Sequence, residues 1–170
     1  AVQIRAVNAA GAGSASTVVS LTTLATPTAP AISAITADDR RLTIAVTPAA
    51  TGGSAITSYE YQLETGGDWT SVPASSPIIV SGLVNGIAYD VRVRAVNAVG
   101  TGAASLAVSA TPATTPGAPA IVGDTISGVD GTLETEFTAP IHAGGSPITT
   151  YEYSTDGGAT WRVRETGTTA

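Results

Sequence analysis

The stretch from Gly82 to Ser105 reads GLVNGIAYDVRVRAVNAVGTGAAS, and its centre decides the fold. Tyr89, Val91, Val93 and Ala95 fall on every second residue, while Asp90, Arg92 and Arg94 occupy the alternate positions. A period of two places successive side chains on opposite faces of an extended backbone, so this segment reads as a half-buried strand. Asn85-Gly86 before it and Gly100 and Gly102 after it tolerate positive φ and bound the strand with turns. Working outward, Leu42, Ile44 and Val46 alternate ahead of Pro48, and Tyr59, Tyr61 and Leu63 alternate with Glu60, Gln62 and Glu64. Gly52-Gly53 and Gly66-Gly67 add turns, giving the spacing of about 10–15 residues expected of short sandwich strands. No segment carries an apolar i, i+3, i+4, i+7 stripe, so the chain is expected to be all-β.

Composition agrees. Charged residues are only 12% of the 170 and hydrophobic residues 43%, which opposes the competing reading of a disordered polar chain. Aromatics are 5%, so each core must be thin, as in a small sandwich. The net charge of −6, with seven Arg and no Lys or basic run, lacks the footprint of a nucleic-acid or anionic-membrane binder. The absence of Cys excludes disulfides, thiolate metal sites and thiol nucleophiles. No apolar run approaches the roughly 20 residues of a membrane-spanning helix. Met is absent even at position 1, which implies a natural N-terminus upstream and leaves export open.

Two stretches recur. AVNAAGAGSAS (Ala6–Ser16) returns as AVNAVGTGAAS (Ala95–Ser105), an offset of 95 − 6 = 89 residues, and the head of the chain copies the strand, with Val2, Ile4 and Ala6 expected inward and Gln3 and Arg5 outward. GGSAITSYEYQLETGGDWTSV (Gly52–Val72) returns as GGSPITTYEYSTDGGATWRVR (Gly144–Arg164), an offset of 144 − 52 = 92. The difference places an insertion near Gly123–Gly131. Residues 28–112 then form one complete repeat, 1–25 the last part of another and 116–170 the first part of a third. Ala170 corresponds to Ile78 and Ala1 to Asp90, so the two flanks together lack only the positions equivalent to 79–89. Three readings stay open: a piece of a longer array, one unit of a two-domain repeat, or a subunit whose ends neighbouring copies complete.

These residues resemble the fibronectin type III domain, in the form common in bacterial surface and secreted proteins. Leu83 and Tyr89 match the family's Leu and Tyr between its fifth and sixth strands, and Pro30 and Pro119 its proline at the first strand. The resemblance implies an immunoglobulin-like sandwich of seven strands in two sheets, with the Tyr89 hydroxyl donating to nearby backbone. On this basis 1–25 supplies the last two strands of a domain, 28–112 is complete, and 116–170 supplies the first strands of another. Tyr59 and its repeat Tyr151 serve as further fold markers. One departure is that Val46 and Phe137 stand where the family usually carries Trp, an absence that Tyr59, Tyr61, Trp69 and Trp161 are placed to offset.

Trp69 and Trp161 each follow a Gly-Gly turn and are the candidate ligand-binding residues, as an aromatic platform for sugars. The plainer expectation is that they pack against the sandwich edge. Glu60 and Glu64 are expected to face Arg92 and Arg94 as exposed ion pairs, not to form a hydrolytic acid pair. His142 has no sequence partner for a zinc site or triad, and Asp38, Asp39, Asp124 and Asp130 match no calcium loop, so turn-capping is their expected use. Neither an Arg-Gly-Asp tripeptide nor an Asn-X-Ser/Thr acceptor occurs. No catalytic residue, metal or cofactor is expected.

The joints LATPTAP (Leu24–Pro30) and TPATTPGAP (Thr111–Pro119) favour extended, semi-rigid backbone. The expectation is a non-catalytic structural module of an extracellular or bacterial cell-surface array, serving as spacer, adhesin stalk or filament subunit. Its expected partners are neighbouring repeats or identical subunits, with protein or glycan ligands as candidates. The alternatives are an accessory spacer or a carbohydrate-binding module of a secreted polysaccharide-degrading enzyme.

Overall fold

The computed structural model describes residues 1–48, 50–64, 67–127 and 134–164, without the side chains of 123–127 and 134. Its strands are β1 (Val7–Asn8), β2 (Gly11–Ala12), β3 (Ala31–Asp38), β4 (Arg41–Thr47), β5 (Ile56–Gln62), β6 (Thr70–Pro73) and β7 (Ile78–Ser81). They continue as β8 (Tyr89–Asn97), β9 (Gly100–Ala104), β10 (Val108–Ala110), β11 (Ala120–Ser127), β12 (Glu134–Thr138), β13 (Glu152–Tyr153) and β14 (Arg162–Val163). No α-helix occurs among the described residues. Gly66, Asp130 and much of the expected insertion near 123–131 lie outside the described residues, as does the Asp124 side chain.

Two sheets build an immunoglobulin-like sandwich: β3-β4-β7, and β10-β8-β5-β6 with β9 also on β8. Leu42, Ile44, Val91, Val93 and Ala95 have no exposed surface, and Val46, Tyr59, Ile78, Val80 and Leu83 are buried beside them. Full burial of one such aliphatic side chain stabilises by about 1.5–3 kcal/mol, so the alternation read in β4 and β8 carries the fold. The alternation of burial breaks within β5 although its pairing with β8 runs unbroken from Ser58 to Gln62. Tyr61 is only half-buried and Gln62 is buried, because its Nε2 donates to the Gly67 carbonyl at 2.6 Å.

The chain divides into two compact units, each crossing the sandwich strands. The first comprises Ala1–Ala34, Ala45–Ile78 and Asp90–Val108. In it β1 pairs with β2, and Val2 bridges to Val19. Val2, Ile4 and Ala6, expected to face inward, are instead exposed, Val2 by 53% and Ile4 by 74%. Alternation assigns a side chain to a face, but burial requires a second layer on that face.

The second unit comprises Ile35–Ile44, Ile79–Tyr89 and Ser109–Ala170. Here β11 pairs with β12 and β13 with β14. The β3–β4 turn places Arg40 at φ 52°. Asn85 holds that turn: its Oδ1 accepts from the Arg40 N–H at 2.8 Å and its Nδ2 donates to Asp39 Oδ1 at 2.7 Å. Tyr89 anchors the chain as expected but with the opposite polarity, since its hydroxyl oxygen accepts from the Val84 N–H at 3.1 Å. Tyr89→Phe deletes this acceptor, and urea unfolding should then show a loss of about 1 kcal/mol.

Candidate functional site

The segment entering the sandwich is bonded to it by a short backbone ladder. The Ala25 N–H donates to the Gly52 carbonyl at 2.8 Å, and Thr28 N–H to Ala50 O at 3.1 Å. Gly52 has φ +67°, and a Cβ on it would run into the Ala25 carbonyl oxygen. A Cβ on Gly102 would likewise meet the Pro27 carbonyl. Asn97, buried at the end of β8, sends its Nδ2 to both Ala25 O and Thr51 O at 2.8 Å, while its Oδ1 accepts from the Val99 and Gly100 N–H groups. Two glycines and one amide thus let three backbone segments close on one another.

The same ladder stands in the other unit at the equivalent positions. Thr114 N–H donates to Gly144 O at 2.8 Å and Gly117 N–H to His142 O at 3.0 Å. Gly144 has φ +78°, and a Cβ there would run into the Thr114 carbonyl oxygen. Farther back, Ser16 copies Ser105: each hydroxyl accepts from a strand N–H, of Ile4 or Val93, and donates to the next carbonyl, of Thr17 or Leu106. The β1–β2 register Val7↔Ala12 and Asn8↔Gly11 repeats β8–β9, Val96↔Thr101 and Asn97↔Gly100.

The two tryptophans differ in their surroundings. Arg94 lies over Trp69 with its guanidinium carbon 4.1 Å from the ring centroid, and its Nε donates to Glu60 Oε2 at 2.6 Å. β5 and β8 set this up by placing Glu60 opposite Arg94. Trp161 is 61% exposed and borders an open cleft of about 600 Å³ with Pro116, Pro119, Ile148, Tyr151 and Glu152. The positions equivalent to Pro116 and Pro119, namely Pro27 and Pro30, are buried.

The model of the fibronectin type III domain matches residues 25–111, just over half of the chain. The chain belongs to the fibronectin type III family. No curated protein matches it. The match begins at Ala25, so the fibronectin type III unit includes the entering segment that the ladder holds. Its marker Leu83 is buried and Tyr59 is 4% exposed in the core. Tyr151, the repeat of Tyr59, is half-buried and meets the Phe137 ring edge-on, with centroids 4.7 Å apart. Val46, at the family's usual Trp position, is 6% exposed and fills the core as an aliphatic residue.

The remaining polar groups of this fibronectin type III chain serve turns and sheet edges. Arg92 stands opposite Gln62 and Glu64 lies beyond β5, so of the expected carboxylate–arginine pairs the sheet aligns Glu60 with Arg94. Asp38 pairs with Arg41 at 2.8 Å, both about half-exposed, a contact worth at most about 1 kcal/mol. The His142 side chain is exposed, and among the described residues only its backbone carbonyl bonds. Among the described residues no three His, Cys, Asp or Glu side chains cluster to hold a metal, and no helix is long and apolar enough to cross a membrane.

Sequence reasoning missed Asp156. Its Oδ2 accepts from Thr160 Oγ1 at 2.6 Å, and its Oδ1 from Thr160 N–H and Ser154 Oγ, closing the β13–β14 turn. Hydrogen bonds from the Thr160 hydroxyl, then the Thr160 N–H, then Ser154 favour the charged form and hold the carboxyl well below the usual carboxylate range. A lowered folded-state value means that the contribution to turn order is present above the ordinary carboxylate value and lost as pH falls through the folded one. NMR should therefore find Asp156 ionised where exposed carboxylates are already protonated, with the Thr160 amide shift moving only in stronger acid.

Proposed function

We propose that this chain is a non-catalytic structural module of an extracellular repeat array, in which residues 1–25 and 116–170 belong to the preceding and following fibronectin type III domains. It acts as a spacer, surface stalk or filament segment on a bacterial cell or in its secretions. The observation that carries this reading is the ladder at Ala25–Gly52 and Thr28–Ala50, found again at Thr114–Gly144 and Gly117–His142. A joint made of backbone bonds and glycines transmits position without requiring any reactive side chain. The family is a non-enzymatic domain type in general, which fits the same reading.

Negative-stain electron microscopy of the native assembly tests it. Beaded rods or fibres of uniform thickness are the expected result. Isolated globular particles, or a catalytic domain to which these repeats are mere appendages, would overturn the array reading in favour of an accessory spacer in an enzyme.

A further inference from the structure

The loop 83–87 of the sandwich is held by bonds of its own on several sides. The Leu83 N–H donates to the Arg40 carbonyl at 3.1 Å, the Val84 N–H to the Tyr89 hydroxyl at 3.1 Å and the Gly86 N–H to the Pro112 carbonyl at 2.9 Å. The Asn85 side chain ties the same loop to Arg40 and Asp39. Against it lies the turn at Gly144-Gly145, whose φ angles of +78° and +90° are close to the +67° and +84° of its repeat, Gly52-Gly53. Two preformed backbones thus meet. A Cβ on Gly145 would stand 2.5 Å from the Gly86 nitrogen and 2.7 Å from both the carbonyl carbon and the Cβ of Asn85. A Cβ on Gly86 would stand 3.1 Å from the Gly145 Cα and carbonyl oxygen. Asp39, Arg40, the loop, Pro112 and the turn all belong to the second compact unit.

The chain path closes this contact into a ring. Pro112 is fully buried and accepts from the Gly86 N–H, while the Thr114 N–H donates to the Gly144 carbonyl at 2.8 Å. A single residue, Ala113, therefore separates a bond to the sandwich loop from a bond to the following segment. Consecutive domains with a small contact ordinarily move against one another, and a flexible linker gains reach with its length. One residue spans at most about 3.6 Å, which leaves the following segment no room to swing while both bonds are made. We propose that the Asn85-Gly86 loop is a docking seat for the Gly144-Gly145 turn of the following domain, and that this seat fixes the joint after Pro112. Both faces need glycine because they meet backbone to backbone, where a side chain has no space and no rotamer of the opposing group can yield. The inference deepens the array reading and rests on residues 116–170 being the start of the following domain. It adds that the joint is locked, so that a spacer built of such repeats keeps its length under thermal motion.

The chain has no Cys, so pairs of spin labels on introduced cysteines test the joint in the full 170-residue protein. Double electron–electron resonance between Thr36→Cys on β3 and Thr149→Cys in the following segment, both exposed positions, reads it. Thr36→Cys with Ser81→Cys on β7 gives the width of a fixed pair within the sandwich. The expected result is a single distance distribution about as narrow as that reference. Gly145→Ala and Gly86→Ala should each widen it about twofold or more, because each drives a Cβ into backbone. Gly82→Ala, at φ +79° with nothing within 4 Å of its Cβ, adds similar backbone strain without a collision and should leave the width unchanged. The thermal transition of the sandwich serves as the folding control. A wild-type distribution much broader than the reference overturns the proposal, as does a width indifferent to both collisions or one that Gly82→Ala changes equally. Beaded rods with broad distributions would sink this inference and leave the array standing, whereas narrow distributions in isolated globular particles would do the reverse.

Discussion

Leu42→Ala should lower the unfolding free energy of the sandwich by about 3 kcal/mol, within the roughly 2–5 kcal/mol spanned by large-to-small core substitutions. Leu42 has no exposed surface and sits in β4 between edge strands β3 and β7, both backbone-bonded to it. A central strand bonded on both sides cannot slide inward to fill the space, so the loss contains the transfer of the removed carbons and most of the cavity term. With total stability of about 5–15 kcal/mol for a small domain, this single change removes a large share. Urea denaturation followed by Trp69 fluorescence measures it. A loss under about 1 kcal/mol would mean that β4 does not face a packed layer.

Gly52→Ala is expected to cost about 2 kcal/mol, by a different route. A left-handed backbone at φ +67° costs a non-glycine residue about 1–2 kcal/mol. The added Cβ also collides with the Ala25 carbonyl, which is backbone and has no rotamer to change. The relief available is for residue 25 to lift off, breaking the Ala25–Gly52 and Asn97–Ala25 hydrogen bonds at about 1 kcal/mol each. Relief caps the penalty, so the loss should remain smaller than that of Leu42→Ala. The readout that separates the two is local: the Ala25 amide should lose its protection from hydrogen exchange in Gly52→Ala and keep it in Leu42→Ala below the unfolding transition. Gly144→Ala should do the same to the Thr114 amide, since a Cβ there meets the same obstacle.

Much of this was legible in the sequence because period two leaves few choices. Leu42, Ile44 and Val46 on one strand and Val91, Val93 and Ala95 on another were read as inward, and all are buried. The polar members of the core were less visible. Gln62, Asn97 and Ser105 are buried because each bonds to backbone of a neighbouring segment, and such closure is a property of the assembled chain. The recurrence of Asn and Ser at 8 and 16 was the available signal for two of them. Alternation also overreached at Val2 and Ile4, where the face was assigned without a layer to cover it. For the tryptophans, the sequence placed both after equivalent turns but carried no sign that one would lie beneath an arginine and the other stand open, since the covering residue comes from a distant strand.

One register is flanked on both sides at β8 and, among the described residues, on one side at Val2–Asn8. Site-resolved amide hydrogen exchange at low protein concentration tests this most directly, by comparing Val93 with Ile4, whose N–H groups each donate to a serine hydroxyl, Ser105 or Ser16. The Val93 amide should exchange only through global opening of the sandwich, and the Ile4 amide orders of magnitude faster. Equal protection of the two amides in dilute solution, or rapid exchange at Val93, would contradict it.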